Sequence, residues 1–152
     1  MKIIRSDNYN VCIGGKSLEH FNFSDYSTLA ILVDENTKEQ CLPLLLAQLP
    51  SLSNSLIIEI QSGEENKNIS ICSLIWEELS KHNFDRDSLL INLGGGVIGD
   101  MGGFAASTYK RGIDFIQIPT TLLAMADASV GGKLGVNFSG LKNQVGLFKN
   151  PK

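Results

Sequence analysis

The segment Gly94-Gly95-Gly96-Val97-Ile98-Gly99-Asp100 satisfies the pattern GxGxxG, follows the apolar run Leu89–Leu93 and opens onto a helix-compatible stretch. Glycines there remove the Cβ atoms that hold a bulky ligand off the backbone, and they permit φ > 0 in the turn. A helix N-terminus just beyond supplies unpaired N–H groups and the positive end of a dipole, which together suit a phosphate. The competing explanation is a tight turn with close helix packing, which a chain with 15 glycines can produce without any ligand. The pattern also departs from the ordinary dinucleotide fingerprint, because it follows an internal strand. The acid about twenty residues on, Asp114, lies near the start of a strand and is badly placed for a ribose.

Other residues offer complementary chemistry. Asp34 lies at the carboxyl end of an apolar strand, where a carboxylate accepts both hydroxyls of a ribose; it equally suits an N-cap for the helix that follows. Glu64 and Lys67, three apart near a helix start, read first as a surface ion pair. Asp100 in the first turn of a helix gains from the dipole, and beside the glycines it is also placed for a ligand hydroxyl. Thr120 and Thr121 follow Pro119 at another strand end, where they serve either as caps or as cofactor contacts. Asp127-Ala128-Ser129-Val130-Gly131-Gly132-Lys133 combines an acid, two glycines and a lysine, a set suited to an anionic, hydroxylated ligand with Lys133 as charge partner. Lys142-Asn143 adds a second cation beside an amide. No Walker P-loop is present, since the GxxxxGK[ST] order is missing. Lys110 and Arg111 stand at a helix end, where two cations compensate the dipole.

These residues must be positioned by alternating strands and helices. Lys2–Arg5 and Tyr9–Ile13 read as short strands joined by a turn at Ser6-Asp7-Asn8, and Ser17–Phe21 as a short helix. Leu29–Val33 is a continuous apolar run, the pattern of a strand buried on both faces. A helix is expected over Thr37–Leu49, with Leu42, Leu45, Leu46 and Leu49 on one stripe and Pro50 stopping it. The strand Leu56–Ile60 precedes a helix over Asn68–His82 that turns Ile71, Leu74, Ile75 and Leu79 inward. After the strand Leu89–Leu93 come a helix over Val97–Thr108, a strand over Ile113–Ile118, and a helix from Pro119-Thr120-Thr121 to about Asp127. This order predicts an α/β domain over 1–152, with a Rossmann-like, largely parallel sheet flanked by helices. Twelve of the 15 glycines lie from Gly94 onward, so the stretch after Ser129 is expected to be a glycine-rich loop or hairpin segment.

Composition narrows the partners. A net charge of −3 and no Lys/Arg block argue against nucleic acid. No apolar run approaches the ~20 residues that span a bilayer, and Met1-Lys2-Ile3-Ile4-Arg5 lacks the apolar core of a signal peptide. The 3 cysteines form no CxxC pair or disulfide framework, which places the chain in a reducing compartment, the cytoplasm. His20 and His82 are the only 2 histidines, and neither has a His or Cys at ligand spacing, so no metal site is expected in this chain.

Taken together, Gly94–Asp100, Tyr109-Lys110-Arg111-Gly112, the run from Pro119-Thr120-Thr121-Leu122-Leu123 through Asp127-Ala128-Ser129-Val130-Gly131-Gly132-Lys133, and Leu141-Lys142-Asn143 closely resemble the 3-dehydroquinate synthase family of sugar-phosphate cyclases. The Gly-Gly-Gly and Pro-Thr-Thr elements also occur in iron-dependent polyol dehydrogenases; the Ser-Val-Gly-Gly-Lys and Lys-Asn elements point to the cyclases. The resemblance implies an NAD-binding domain, followed in the family by a mostly helical domain with a divalent metal, zinc or cobalt, on a glutamate and two histidines. None of those ligands occurs in these residues, which implies the cofactor half of a longer enzyme, inactive alone. By resemblance Asp34, Glu64, Lys67, Gly95, Gly96, Val97, Asp100, Thr120, Thr121 and Lys142 would contact NAD, displacing the ion-pair reading of Glu64 and Lys67. Asp127, Lys133 and Asn143 would face the substrate, and Arg111 would reach the substrate phosphate of the neighbouring subunit in a homodimer. The implied reaction converts a seven-carbon keto acid phosphate, DAHP, to 3-dehydroquinate and phosphate in the shikimate pathway. The NAD transiently oxidises a ring hydroxyl, and Lys133 supplies charge near the reacting centre. Leu134 departs from the threonine that many members carry there.

Overall fold

A small antiparallel hairpin, β1 (Lys2–Arg5) and β2 (Asn10–Ile13), opens the computed structural model, which describes residues 1–6 and 8–152. The turn expected at Ser6-Asp7-Asn8 includes Asp7, which lies outside the described residues. A 3₁₀ turn over Ser17–His20 stands where the short helix is expected.

The framework is a parallel sheet of β3 (Leu29–Asp34), β4 (Leu56–Ile60), β5 (Leu89–Gly94) and β6 (Asp114–Pro119), in the order β4-β3-β5-β6. β3 is apolar up to its terminal Asp34, and β5 is apolar but for the buried Asn92, because both faces of the sheet are covered. One face carries α1 (Glu35–Gln40) and α2 (Leu42–Gln48), packed on Ile31, Val33, Leu89, Ile91 and Leu93. The other carries α3 (Ile69–Lys81) and α4 (Gly96–Thr108), packed on Ala30, Leu32, Leu90 and Phe115. The chain leaves β3 toward β4 on one side and then crosses back to β5 on the other. The carboxyl ends of β3 and β5 therefore flank the point where strand order reverses, the usual place for a ligand in an open α/β sheet.

Three expectations are corrected. The single helix over Thr37–Leu49 is two helices broken at Cys41, and the first begins two residues early because Asp34 caps it. Pro43 has no N–H for the carbonyl of Glu39 and its ring crowds that carbonyl, so the helix cannot run through. On α3, Leu74 is 51% exposed while Cys72 is fully buried, because the inward stripe is Cys72–Ile75–Leu79. The helix expected from Pro119 to Asp127 is present but starts only at Leu122, because Pro119 still belongs to β6, and it finishes in a π-helical turn over Ala124–Ala128.

After Ser129 the chain forms a regular antiparallel hairpin, β7 (Lys133–Phe138) and β8 (Leu141–Phe148). Its turn is Ser139-Gly140, both at positive φ (51° and 77°), as a two-residue type I′ loop requires. Gly135 faces Gly146 across the ladder, and a Cβ on Gly146 would lie 2.2 Å from the Leu134 carbonyl oxygen. The register slips between Val136 and Phe138, so Lys142-Asn143-Gln144 bulge out opposite Asn137. Leu134 and Val136 of β7 pack on α4 and join the core.

Candidate functional site

The glycine turn is built by close approach. Gly95 is the N-cap residue of α4, and the first intrahelical bond runs from the Gly99 N–H to the Gly95 carbonyl (3.0 Å). The N–H groups of Gly96, Val97 and Ile98 precede it and point out of the helix end. A Cβ on Gly95 would meet Thr121 Cγ2 at 3.2 Å, and one on Gly96 would meet Ala128 at 3.3 Å. The turn thus lies in a slot that side chains would narrow.

A cleft of about 380 Å³ opens there, lined by Asp34, Thr37, Gly63, Gly95–Ile98, Thr120 and Thr121. Asp34 closes a capping box: its Oδ1 accepts from the Thr37 backbone N–H (2.7 Å) and hydroxyl (3.0 Å), while Thr37 Oγ1 accepts from the Asp34 N–H (3.0 Å). The capping role is therefore realised through Oδ1, and Oδ2 makes no hydrogen bond among the described residues. Thr121 Oγ1 accepts from the Ala124 N–H (3.2 Å), again a cap, and the Thr120 N–H donates to the Gly94 carbonyl (3.0 Å). A larger hollow of about 590 Å³ beside Ser62 is lined by Glu35, Glu59 and Glu65, three carboxylates that suit phosphates poorly. The smaller cleft has the better chemistry.

A polar cluster closes one side of the glycine helix. Lys67 is buried, and its Nζ donates to Asp100 Oδ2 (2.5 Å) and to Asn143 Oδ1 (2.7 Å). The surface ion pair between Glu64 and Lys67, the first reading of their spacing, does not form, and each finds another partner around the 3₁₀ turn over Glu64–Asn66. Glu64 Oε1 instead accepts from Asn137 Nδ2 (3.0 Å) and lies 3.9 Å from Lys142 Nζ. Asp100 is the fifth residue of α4, not in its first turn, because the helix starts at Gly96. Burial holds its carboxyl above the ordinary value, opposed by the Lys67 ammonium; Glu64 and Asp127 push it further up.

The expected residues thus fall into groups. Asp34, Gly95, Gly96, Val97, Thr120 and Thr121 line the cleft. Glu64, Lys67, Asp100, Lys142 and Asn143 form the cluster. Asp127 is exposed on the π-helical turn, close enough to influence Asp100. Lys133 opens β7 and is exposed, and no hydrogen bond or ion pair ties it to the cluster among the described residues. Arg111 is exposed in a left-handed conformation (φ 71°) in the 3₁₀ turn after α4, at the far end of that helix from the glycine turn. It is not part of this cleft.

Sequence reasoning missed Asn137. Its Nδ2 donates to the Glu64 carbonyl (3.1 Å) and carboxylate (3.0 Å), and its Oδ1 accepts from the Asn143 N–H (2.9 Å). Nothing in the local sequence signals this, because the contacts exist only once the bulge on β8 has formed. Tyr9 was likewise unforeseen; its hydroxyl accepts from the Gly131 N–H (3.0 Å) and pins the loop before β7.

The 3-dehydroquinate synthase N-terminal family profile matches residues 57–152, which include α3, the glycine turn, α4 and the β7–β8 hairpin. The chain belongs to that family. It is 52% identical over 126 residues to the 3-dehydroquinate synthase of Parabacteroides distasonis, covering 83% of this chain and 35% of that protein. It is 42% identical over 152 residues to that of Sulfurimonas denitrificans, covering 100% and 42%. It spans well under half the length of these family members. Among solved structures, it is similar to 2-deoxy-scyllo-inosose synthase complexed with carbaglucose-6-phosphate, NAD+ and Co2+ (TM-score 0.89, 25% identity, 99% of this chain and 44% of that one). Among the described residues, no three His, Cys, Asp or Glu side chains gather as a metal site, and no helix is long and apolar enough to cross a membrane.

Proposed function

We propose that residues 1–152 are the NAD-binding domain of a 3-dehydroquinate synthase, the lyase that converts DAHP to 3-dehydroquinate and phosphate for aromatic amino acid biosynthesis. The observation that carries the proposal is the cleft at the strand-order reversal, where Asp34 faces the open N–H groups of Gly96 and Val97. A glycine slot that a Cβ would fill, a helix N-terminus for the pyrophosphate and a carboxylate at the end of β3 fit a dinucleotide. Identities of 42% and 52% to 3-dehydroquinate synthases, against 25% to 2-deoxy-scyllo-inosose synthase, favour this cyclase over its relatives.

When bound, NAD supplies hydride transfer to and from a ring carbon. The chain's own residues bind and orient. Lys67 is an ammonium donor held against Asp100, so the pair presents fixed charge without reorganisation. Lys142, Glu64, Thr120 and Thr121 complete the cofactor contacts, and Asp127, Lys133 and Asn143 face the substrate, with Lys133 the charge beside the reacting centre. Arg111 serves the neighbouring subunit of a homodimer, which places it away from its own cleft. The metal belongs to a second domain of a longer cytoplasmic enzyme, and this chain alone is inactive.

Titration of NAD+ into the chain tests the cofactor reading. Asp34→Ser keeps a capping oxygen but loses the ribose carboxylate, so it should leave the melting temperature in place and weaken NAD+ about tenfold. Absence of NAD+ binding by the unaltered chain would overturn the reading. Phosphate release from DAHP with NAD+ and zinc or cobalt should require the polypeptide that continues into the second domain. Turnover by residues 1–152 alone would sink the half-site assignment, and glycerol oxidation in its place would indicate a polyol dehydrogenase.

A further inference from the structure

The bulge on β8 exposes a joint between the glycine-helix half of the site and the hairpin half. Opposite the bulge, the normal ladder is interrupted, and Asn143 sits at φ 52°. Bulges of this kind re-aim a side chain, and here the side chain of Asn143 is aimed at Lys67 (2.7 Å). What holds the bulge is the amide of Asn137. Its Oδ1 replaces the missing ladder acceptor for the Asn143 N–H (2.9 Å). Its Nδ2 reaches the opposite way, to the Glu64 carbonyl (3.1 Å) and Oε1 (3.0 Å). Its own N–H donates to the Lys67 carbonyl (2.8 Å), and Asn137 pairs with Asn68 as an isolated bridge. One side chain and one peptide unit thus fix Glu64, Lys67 and Asn143, which lie on two segments.

We propose that Asn137 is the positioning residue of this site: its amide sets the Glu64 carboxylate and the Asn143 side chain in register with Lys67, and so presents Glu64 and Lys67 to the cofactor and Asn143 at the substrate side of the same cluster. The proposal rests on the reading of the cleft as an NAD site. Asn137 itself touches no ligand in this scheme. A purely structural role would need only shape, whereas this one needs a donor toward Glu64 and an acceptor toward Asn143. The charged groups facing the amide are Glu64 and, 3.9 Å beyond its Oε1, Lys142; the Lys67 ammonium is turned to Asp100 and Asn143.

That requirement gives a pH signature. Asn137→Asp keeps the acceptor but sets a carboxylate against Glu64, and two carboxyls at hydrogen-bond distance hold a shared proton well above the usual range. In Asn137→Asp, NAD+ affinity should fall about tenfold near pH 8 and return to within about threefold of the unaltered chain near pH 5, where the shared proton restores a donor. Asn137→Ala should lose about tenfold at both pH values, and the unaltered chain should change little. Affinities of both variants equal to the unaltered chain, or losses in Asn137→Asp independent of pH, overturn the proposal. A measurement on the unaltered chain stands apart from variant folding: the Asn137 side-chain amide and the Asn143 backbone amide should be protected from hydrogen exchange. Free exchange of both overturns the positioning role. Failure of the unaltered chain to bind NAD+ overturns the cofactor reading instead, and the exchange measurement still decides the geometry.

Discussion

Glycine does different work on the two sides of the cleft. In α4 the backbone is ordinary helix, and Gly99, Gly102 and Gly103 matter for the Cβ they lack: added carbons would meet Gln117, Asn92 and Leu134 at 3.2, 1.8 and 2.3 Å. In the loop and hairpin that follow, Gly131 and Gly140 have open space around them and matter for their backbone, with φ of 88° and 77°. The helix side is held by burial: every residue of β5 is buried, and α4 buries eight of its 13 residues. On the hairpin side β7 packs Leu134 and Val136 on α4, but β8 has no buried residue and is held through β7 and a few polar contacts. One half of the site is a packed wall and the other is a tethered arm. A ligand between them meets rigid dipoles on one side and adjustable side chains on the other.

The sharpest test of that contrast compares one substitution in each region. Gly102→Ala drives a methyl into Asn92 Oδ1 and toward Leu32 Cδ2 (2.8 Å), both fully enclosed, so the helix must lift off the sheet. A loss of about 3 kcal/mol is expected in urea unfolding, despite the better helix propensity of alanine. Gly131→Ala meets nothing within 4 Å and should cost only the left-handed strain, roughly 1–2 kcal/mol. Equal losses at the two positions would erase the distinction between packed and conformational glycines.

Lys67 is where the two regions are joined, through Asp100 on α4 and Asn143 on β8. Lys67→Met leaves Asp100 partly buried and unpaired, and should cost about 2 kcal/mol near neutral pH. The sign of the pH dependence follows from Asp100. Its carboxyl is raised above the ordinary 3.8 by burial, against the pull of Lys67. The folded state therefore binds that proton more tightly than the unfolded chain, and this group's contribution rises as pH falls through the raised value and is a cost above it. Without Lys67 the value rises further, so the loss in Lys67→Met should shrink on going from neutral to about pH 5. An unchanged loss at the two pH values would mean that the ion pair is not what joins the halves.

How much of this was legible in the sequence divides along the same line. β3 and β5 were readable because a strand covered on both faces is a nearly continuous apolar run, broken in β5 only by Asn92, and Gly94–Gly99 was readable because a strand-to-helix turn leaves a local glycine signature. Local patterns failed where a competing residue intervened. Pro43 splits the α1–α2 stripe although its leucines keep helical spacing, and Cys72 takes the inward place assigned to Leu74. In the hairpin half, the glycines announced turns but not strand lengths. The partner of Lys67 was hidden altogether: Glu64, three residues away, was the local choice, yet the buried ammonium found Asp100 and Asn143, which are 33 and 76 residues distant. Pairings that depend on a bulge leave no mark in a one-dimensional spacing.

The smallest effect probes the arm at its tip. Ser139 and Gly140 form the hairpin turn with both φ values positive, yet serine gains nothing from the left-handed region. Asparagine tolerates it better, because its short amide bonds to the local backbone, and Asn-Gly is the preferred pair for a type I′ turn. Ser139 is exposed, so the substitution meets no packing constraint. Ser139→Asn should therefore stabilise the chain by a fraction of the roughly 1–2 kcal/mol that this region costs an ordinary residue. If the hairpin is a tethered arm, the gain should appear mainly as slower hydrogen exchange of β7 and β8 amides near the turn, with those of β5 unchanged. A matching slowing throughout β5 would show instead that arm and wall open as one unit, coupled by the packing of Leu134 and Val136 on α4 together with the polar tethers.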